Sequence, residues 1–434
     1  MISGFRAVSA VLFLVTLVVL VEGCSNTFRP TIVPLPGTSG DPRSLAQAVV
    51  LSTNPSGGPG SDTHIDASGD TNVGVVSVGL NPVFLSKIAS SRVLAINSDQ
   101  TVTSYLALLP QSTAINVITQ PSGSLTGVSA AASSNGNIYV ANNGSNNVTV
   151  IPGNQNVATG NVTVGSQPVS VASNSASNKA YIVNRGSSDV SVINAVDSTV
   201  AAATISVGAS PIWGVVSSDG RLLFVVNQGS NNVTIIDTLL DQQVVSGSPI
   251  TVGSMPNFAF YDNNLKRIYV NNSGSNSISV IKADVYDPAA VPPVVPTLLA
   301  TINLSPGPLP TSLTVLADGT RAYVARGGCA AGINHISLPA SLAGCTGSVV
   351  SVIDAVGLRE MGTVTVGSGA VSIDASSDSS KVFVTNANLG STSVIRTSTN
   401  AELLRIKAPQ QNPACDPTTT TCPLQVPFMV RTFP

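Results

Sequence analysis

Residues 179–208, KAYIVNRGSSDVSVINAVDSTVAAATISVG, decide the fold. Three apolar runs, AYIV at 180–183, VSVI at 190–193 and AATISV at 202–207, are separated by turn-forming clusters at 184–189 and 195–199. Runs this short, rich in Val and Ile and bounded by Asn, Gly, Ser and Asp, read as β-strands. A fourth run, PVSVA at 168–172, precedes them, so the stretch is a four-stranded antiparallel meander that ends on a Val-Gly pair.

The meander recurs along the chain. The glycine of its Gly-x-x-Pro corner aligns at Gly79, Gly123, Gly165, Gly208, Gly253, Gly307 and Gly367, at intervals of 44, 42, 43, 45, 54 and 60 residues. Those spacings sit at and above the length of a four-stranded propeller blade. Second strands read RVLAIN from Arg92, NIYVAN from Asn137, KAYIVN from Lys179, LLFVVN from Leu222, RIYVNN from Arg267, RAYVAR from Arg321 and KVFVTN from Lys381. Third strands read NVTVIP from Asn147, DVSVIN from Asp189, NVTIID from Asn232, SISVIK from Ser277 and VVSVID from Val349. These segments resemble the YVTN family of β-propeller repeat proteins, from about residue 79 to 409. The resemblance implies the propeller fold and no single activity.

The physics reaches the same fold independently. Sheets that pack face to face around a ring bury both faces of each strand, so the strands read as nearly continuous small aliphatics. One aromatic per blade, at Tyr139, Tyr181, Phe224, Tyr269, Tyr323 and Phe383, reads as packing between blades. The expected class is all-β, a β-propeller of seven complete blades. Apolar pieces remain at 46–52, 64–67 and 73–78, which by phase are strands two, three and four, and the tail at 426–433 reads as strand one. Together they form either a composite eighth blade closing the ring or accessory strands on seven.

Composition agrees. The chain of 434 residues is 43% hydrophobic and only 9% charged, with 37 Gly and 28 Pro, which is the profile of a turn-rich β protein. A net charge of -2 without a basic stripe argues against nucleic acid as a partner.

Residues 1–23 read as an export signal, Arg6 preceding an uncharged apolar run at 7–21 that is short for a membrane span. The sequence Val21-Glu22-Gly23-Cys24 resembles a bacterial lipobox, with Glu22 where a small or aliphatic residue is usual, and makes Cys24 the expected lipidation site. Residues 24–43, rich in Pro, Thr, Ser and Gly, read as a flexible tether, and 44–434 as the propeller domain. The expected address is the periplasm or cell surface, on a membrane. The other four cysteines fall into two local pairs, Cys329 with Cys345 and Cys415 with Cys422, and disulfides suit an exported chain better than metal ligation.

Function is harder to read. Corner and strand-two-to-three loops share one rim, which displays a ladder of turn-forming asparagines, among them Asn142, Asn184, Asn227 and Asn272. Blade six carries a long loop at 327–347 with its own cysteine pair and His335. With Arg185, Arg326 and the only tryptophan, Trp213, that loop frames a candidate ligand pocket on this rim. His64 and His335 are the only histidines, which rules out a three-histidine metal site; no G-x-S-x-G, H-E-x-x-H or phosphate-loop motif occurs. No catalytic residue, metal or cofactor is expected. The leading expectation is a monomeric, lipid-anchored binding scaffold of the envelope, its partner a protein, a glycan or a small molecule. The alternatives are an enzyme of the lactonase or quinone-dependent dehydrogenase type found among similar propellers, or a purely structural envelope protein.

Overall fold

The computed structural model describes residues 47–88, 92–107, 115–124, 126–153, 155–173, 178–244, 246–283, 286–330, 332, 342, 344–415 and 422–433. The signal, the tether with Cys24, and His335 lie outside the described residues. Eight antiparallel sheets of four blade strands each form a ring. Blade three is the meander of 168–206: Pro168–Ala172, Lys179–Asn184, Asp189–Asn194 and Ile205–Ser206, in that order from the axis outward.

The eighth blade is composite. The C-terminal strand Val426–Phe433 pairs antiparallel with Gln47–Thr53, followed by Pro59–Asp66 and Thr71–Leu80. Of the two readings left open by the sequence, the structure takes the closed ring of eight.

The innermost strands are Pro82–Ile88, Gly127–Ala132, Pro168–Ala172, Pro211–Val216, Pro256–Asp262, Ser312–Val315, Ala370–Ala375 and Val426–Phe433, for blades one to eight. Each has a free inner edge whose backbone groups need partners. Side chains of neighbouring blades supply them all the way round. Ser86 Oγ donates to Ala130 O at 3.0 Å, Val171 N to Ser129 Oγ at 3.2 Å, and Gly214 N to Ser170 Oγ at 3.4 Å. Trp213 Nε1 donates to Ala259 O at 3.0 Å, Asn257 Nδ2 to Pro310 O at 3.1 Å, and Thr311 Oγ1 to Ala370 O at 3.1 Å. Val430 N donates to Ser372 Oγ at 3.2 Å and Leu85 N to Met429 Sδ at 3.1 Å, which returns the hoop to blade one.

The predicted aromatic stripe is fully buried, as its packing role requires. Three of its hydroxyls also reach the next blade: Tyr181 bonds Thr238 O and Asp241, Tyr269 bonds Ala355 O, and Tyr323 bonds Asn400. Cys329–Cys345 and Cys415–Cys422 are both disulfide-bonded. Such bonds belong to a chain that folds in an oxidising, non-cytoplasmic compartment. Among the described residues no helix is long and apolar enough to cross a membrane.

Candidate functional site

The side chains that line the axial channel differ from blade to blade; those that count here lie two or four residues past the start of the innermost strand, and five past it in blade eight. In blades four and five those positions carry Trp213 and Val215, then Phe258 and Phe260. In blade seven the position is that of Asp374 and in blade eight that of Arg431. Trp213, Phe258, Phe260, Tyr261, Ser312, Asp374 and Arg431 all line one cavity of about 450 Å³. A second recess of about 230 Å³ shares Phe260, Tyr261 and Asp374 with it and continues to the strand-one-to-two hairpins, at Asn264, Ser376 and Ser377. The site therefore faces the rim opposite the corner glycines.

One wall is aromatic. Trp213 is half-buried, held by its Nε1 bond to Ala259 O at 3.0 Å, with its ring 5.3 Å from that of Phe258 at 41°. The facing wall is charged. Asp374 is fixed by donors from three blades: Oδ1 accepts from Ala375 N at 3.0 Å and Thr314 Oγ1 at 3.3 Å, Oδ2 from Thr432 N at 2.8 Å and Thr432 Oγ1 at 3.1 Å. Arg431 donates to Val430 O at 2.9 Å, and burial holds its guanidinium below its ordinary pKa while the charge of Asp374 partly offsets that. Lys87, exposed on the innermost strand of blade one, does not line the cavity; it donates to Thr432 O at 3.0 Å and stands 5.2 Å from the centre of the Phe433 ring. Its pKa is also lowered by burial and raised by Asp374. Among the described residues no cluster of His, Cys, Asp and Glu can hold a metal ion.

Of the described residues singled out from sequence as ligand-binding, Trp213 alone lines this cavity, which lies toward the rim opposite the one expected for it. Arg326 is buried near the opposite rim, where it donates to Pro308 O at 2.7 Å, Ser305 O at 2.6 Å and Asn276 Oδ1 at 3.2 Å. It stands where six other blades have an asparagine and, like them, reaches strand three, Nη1 donating to Ser351 Oγ at 3.3 Å; its bonds to the corner carbonyls are its own. Arg185 is exposed, its backbone N–H donating to Gln167 O at 2.9 Å, and does not line the cavity. Within the blade-six loop, Gly332 N donates to Ser273 Oγ at 2.7 Å in blade five, and Gln228 Nε2 in blade four donates to Gly332 O at 3.0 Å. The asparagines Asn142, Asn184, Asn227 and Asn272 are fully buried.

Sequence reasoning did not single out Asp374, Arg431, Phe258 and Phe260. A signal was there: a carboxylate in AVSIDA and a guanidinium in VPFMVRTF each interrupt an apolar strand.

No protein-family model matches this chain, and no curated protein matches it. Solved structures do. Dihydro-heme d1 dehydrogenase NirN in complex with DHE superposes with a TM-score of 0.66 at 13% identity, over 93% of this chain and 78% of that one. AztD from Citrobacter koseri gives 0.57 at 12% identity, over 90% and 99%. The periplasmic gluconolactonase PpgL of Pseudomonas aeruginosa gives 0.56 at 15% identity, over 90% and 99%. At such identities the likeness is one of fold. Fold and site together define an eight-bladed β-propeller with an aromatic and charged cavity in its channel.

Proposed function

We propose that this protein is a ligand-binding propeller, built of YVTN-type repeats, exported and lipid-anchored through Cys24, that takes a small molecule in the channel mouth on the hairpin rim. The observation that carries this reading is the composition of the 450 Å³ cavity, in which an aromatic wall from blades four and five faces Asp374 and Arg431 from blades seven and eight. A concave, largely apolar cleft with a few convergent polar groups is the usual form of a small-molecule site.

A catalytic reading would have to run on Asp374 and Arg431. Four donors already occupy the Asp374 oxygens, which suits a fixed electrostatic element better than a proton acceptor. Binding is therefore the reading the site favours.

Because the chain has a single tryptophan and that residue forms the cavity wall, its emission reports directly on occupancy. Titrating the full chain with fractions of a small-molecule extract is expected to give saturable emission changes that are abolished when Phe260→Asp fills the wall with charge. A flat response across all fractions would overturn the reading.

A further inference from the structure

A separate groove lies on the corner rim, at the seam where the chain closes the ring. Its volume of about 560 Å³ falls within the range of about 300–1,000 Å³ usual for small-molecule clefts. One bank is the hairpin of the composite blade that joins Gln47–Thr53 to Pro59–Asp66, with the outermost strand Thr71–Leu80 beside it. The other bank is the segment that leaves blade seven, residues 409–413, doubled back on 423–425. Gln411 N donates to Pro423 O and Gln425 N to Pro409 O, both at 2.8 Å, and the Cys415–Cys422 disulfide closes the far end. Side chains tie the banks together. Asn54 Nδ2 donates to Gln411 O at 3.0 Å, Ser56 Oγ to Gln411 Oε1 at 2.6 Å, and Gln411 Nε2 to Leu424 O at 2.9 Å, so the groove has its shape before any ligand arrives.

The chemistry of this groove is that of amides, hydroxyls and prolines. None of the described residues lining it has an ionisable side chain. A phosphate or carboxylate would meet no cation there and a cation no carboxylate, so a charged ligand would lose hydration without compensation. Gln425 is buried and its Oε1 accepts from Ser61 Oγ at 2.7 Å, but among the described residues its Nε2 has no partner. Gln410, half-buried, and Ser77, exposed, also have side chains without a partner among the described residues. A carboxamide offers donors and an acceptor side by side, and a hydroxyl is both, so adjacent hydroxyls of one ligand can satisfy all three side chains. Pro59, Pro409, Pro413 and the exposed Val75 add apolar patches for the C–H faces of such a ligand.

A peptide is less well served. Recognition by strand addition runs on backbone hydrogen bonds, whereas here the prolines have no N–H, and Gln411 N, Gln411 O and Gln425 N are already engaged.

We propose that this groove is a second binding site, distinct from the channel, that takes a neutral saccharide. Its hydroxyls bond Gln410, Gln425 and Ser77, and its C–H faces lie on the prolines. The hairpin closed by Cys415–Cys422 is then one wall of a recognition site.

The test is saturation-transfer NMR on the full chain with four neutral disaccharides: maltose, cellobiose, trehalose and N,N′-diacetylchitobiose. Cellobionate and chitobiose in its diammonium form serve as charged probes of the same size, and an uncharged peptide of Ser, Gly and Pro as the peptide probe. At least one neutral disaccharide is expected to bind with a dissociation constant on the order of 1 mM, and the charged probes about tenfold more weakly. Gln410→Ala should weaken the sugar several-fold, and Ser77→Arg should block it. Both variants should melt with the intact chain, because neither side chain is bonded within the fold. Phe260→Asp, in the channel, should leave sugar binding unchanged. Binding that survives both groove variants, preference for a charged probe, or binding of the peptide alone would overturn the proposal. So would the absence of a response from all four disaccharides, and none of these outcomes bears on the channel site.

Discussion

Asp62 is fully buried in blade eight, and its carboxylate accepts a hydrogen bond from Tyr105 of blade one at 2.7 Å. The tyrosine oxygen faces His64 Nε2 at 3.2 Å, and His64 Nδ1 faces Gln47 Oε1 at 3.2 Å. Burial raises the Asp62 pKa to about 7, the Tyr105 bond acting the other way, and lowers that of His64 to about 4. The signs of the two are opposite. Asp62 keeps in the native state a proton that the unfolded chain releases, so its contribution to stability declines as pH rises from about 4 to 7. His64 refuses in the native state a proton that the unfolded chain takes up, so stability is lost as pH falls from about 6.5 to 4. In the shared window the slopes cancel, and the intact protein should melt at nearly constant temperature. Asp62→Asn leaves the His64 slope alone, so the melting temperature of that variant should rise with pH between 4 and 6.5. His64→Gln should do the reverse, with a fall worth on the order of 4 kcal/mol across the Asp62 titration. Calorimetric melts at a series of pH values check both, and parallel curves for the three proteins would show that the cluster does not titrate as described.

At the scale of the element, the corner and the end of strand two form one device. Asn386 Nδ2 donates to Ser391 Oγ at 3.2 Å and Ser393 Oγ at 2.8 Å, and Asn184 Nδ2 to Asp189 Oδ1 at 2.8 Å and Ser191 Oγ at 2.9 Å. The buried amide thus ties strand two to strand three where the hairpin leaves the sheet. The corner glycine packs on that amide. A Cβ at Gly367 would lie 2.5 Å from Asn386 Cγ, and one at Gly165 2.5 Å from Asn184 Nδ2, so the glycine is required by close approach and not by an unusual dihedral. Gly367→Ala should therefore cost about 1–3 kcal/mol, as overpacking does. Combined with Asn386→Ala, which removes the two nearest atoms, Cγ and Nδ2, though not Cβ at 2.8 Å, the loss should be less than the sum of the single losses; strictly additive losses in thermal melts would separate the two residues. This device is why the fold was legible: Gly, Asn and small aliphatics are demanded at fixed places in most blades, so they recur in phase. The channel wall was not legible because no blade repeats it. Trp213, Phe260, Asp374 and Arg431 come from four blades, each occupying a position where the others tolerate different side chains, and only closure of the ring brings them together. The asparagine ladder, read from sequence as a polar rim, is in large part this buried tie.

For the whole molecule, closure is the decisive step, and it depends on the last described strand. Val426–Phe433 buries Phe428, Met429, Val430 and Phe433 almost completely and pairs along the length of Gln47–Thr53. It also carries two links of the hoop around the channel, through Met429 and Val430, and one wall of the cavity, through Arg431 and the Thr432 bonds to Asp374. Stability and site are thus joined at one strand. Removing residues 426–434 takes away four buried side chains, each worth about 1.5–3 kcal/mol, and opens the edges of the Gln47–Thr53 strand and of blades one and seven. The truncated chain should melt far below the intact one, and binding of any channel ligand should disappear with it. Point changes separate the two effects. Phe428→Ala is expected to lower the melting temperature with ligand affinity retained in the fraction that remains folded, because Phe428 packs in the blade and does not line the cavity. Phe260→Asp is expected to do the opposite, abolishing the ligand-dependent change in Trp213 emission while leaving the melt closer to that of the intact chain. An unchanged melting temperature on deleting 426–434 would mean that seven blades hold the ring by themselves and that the composite blade is an accessory.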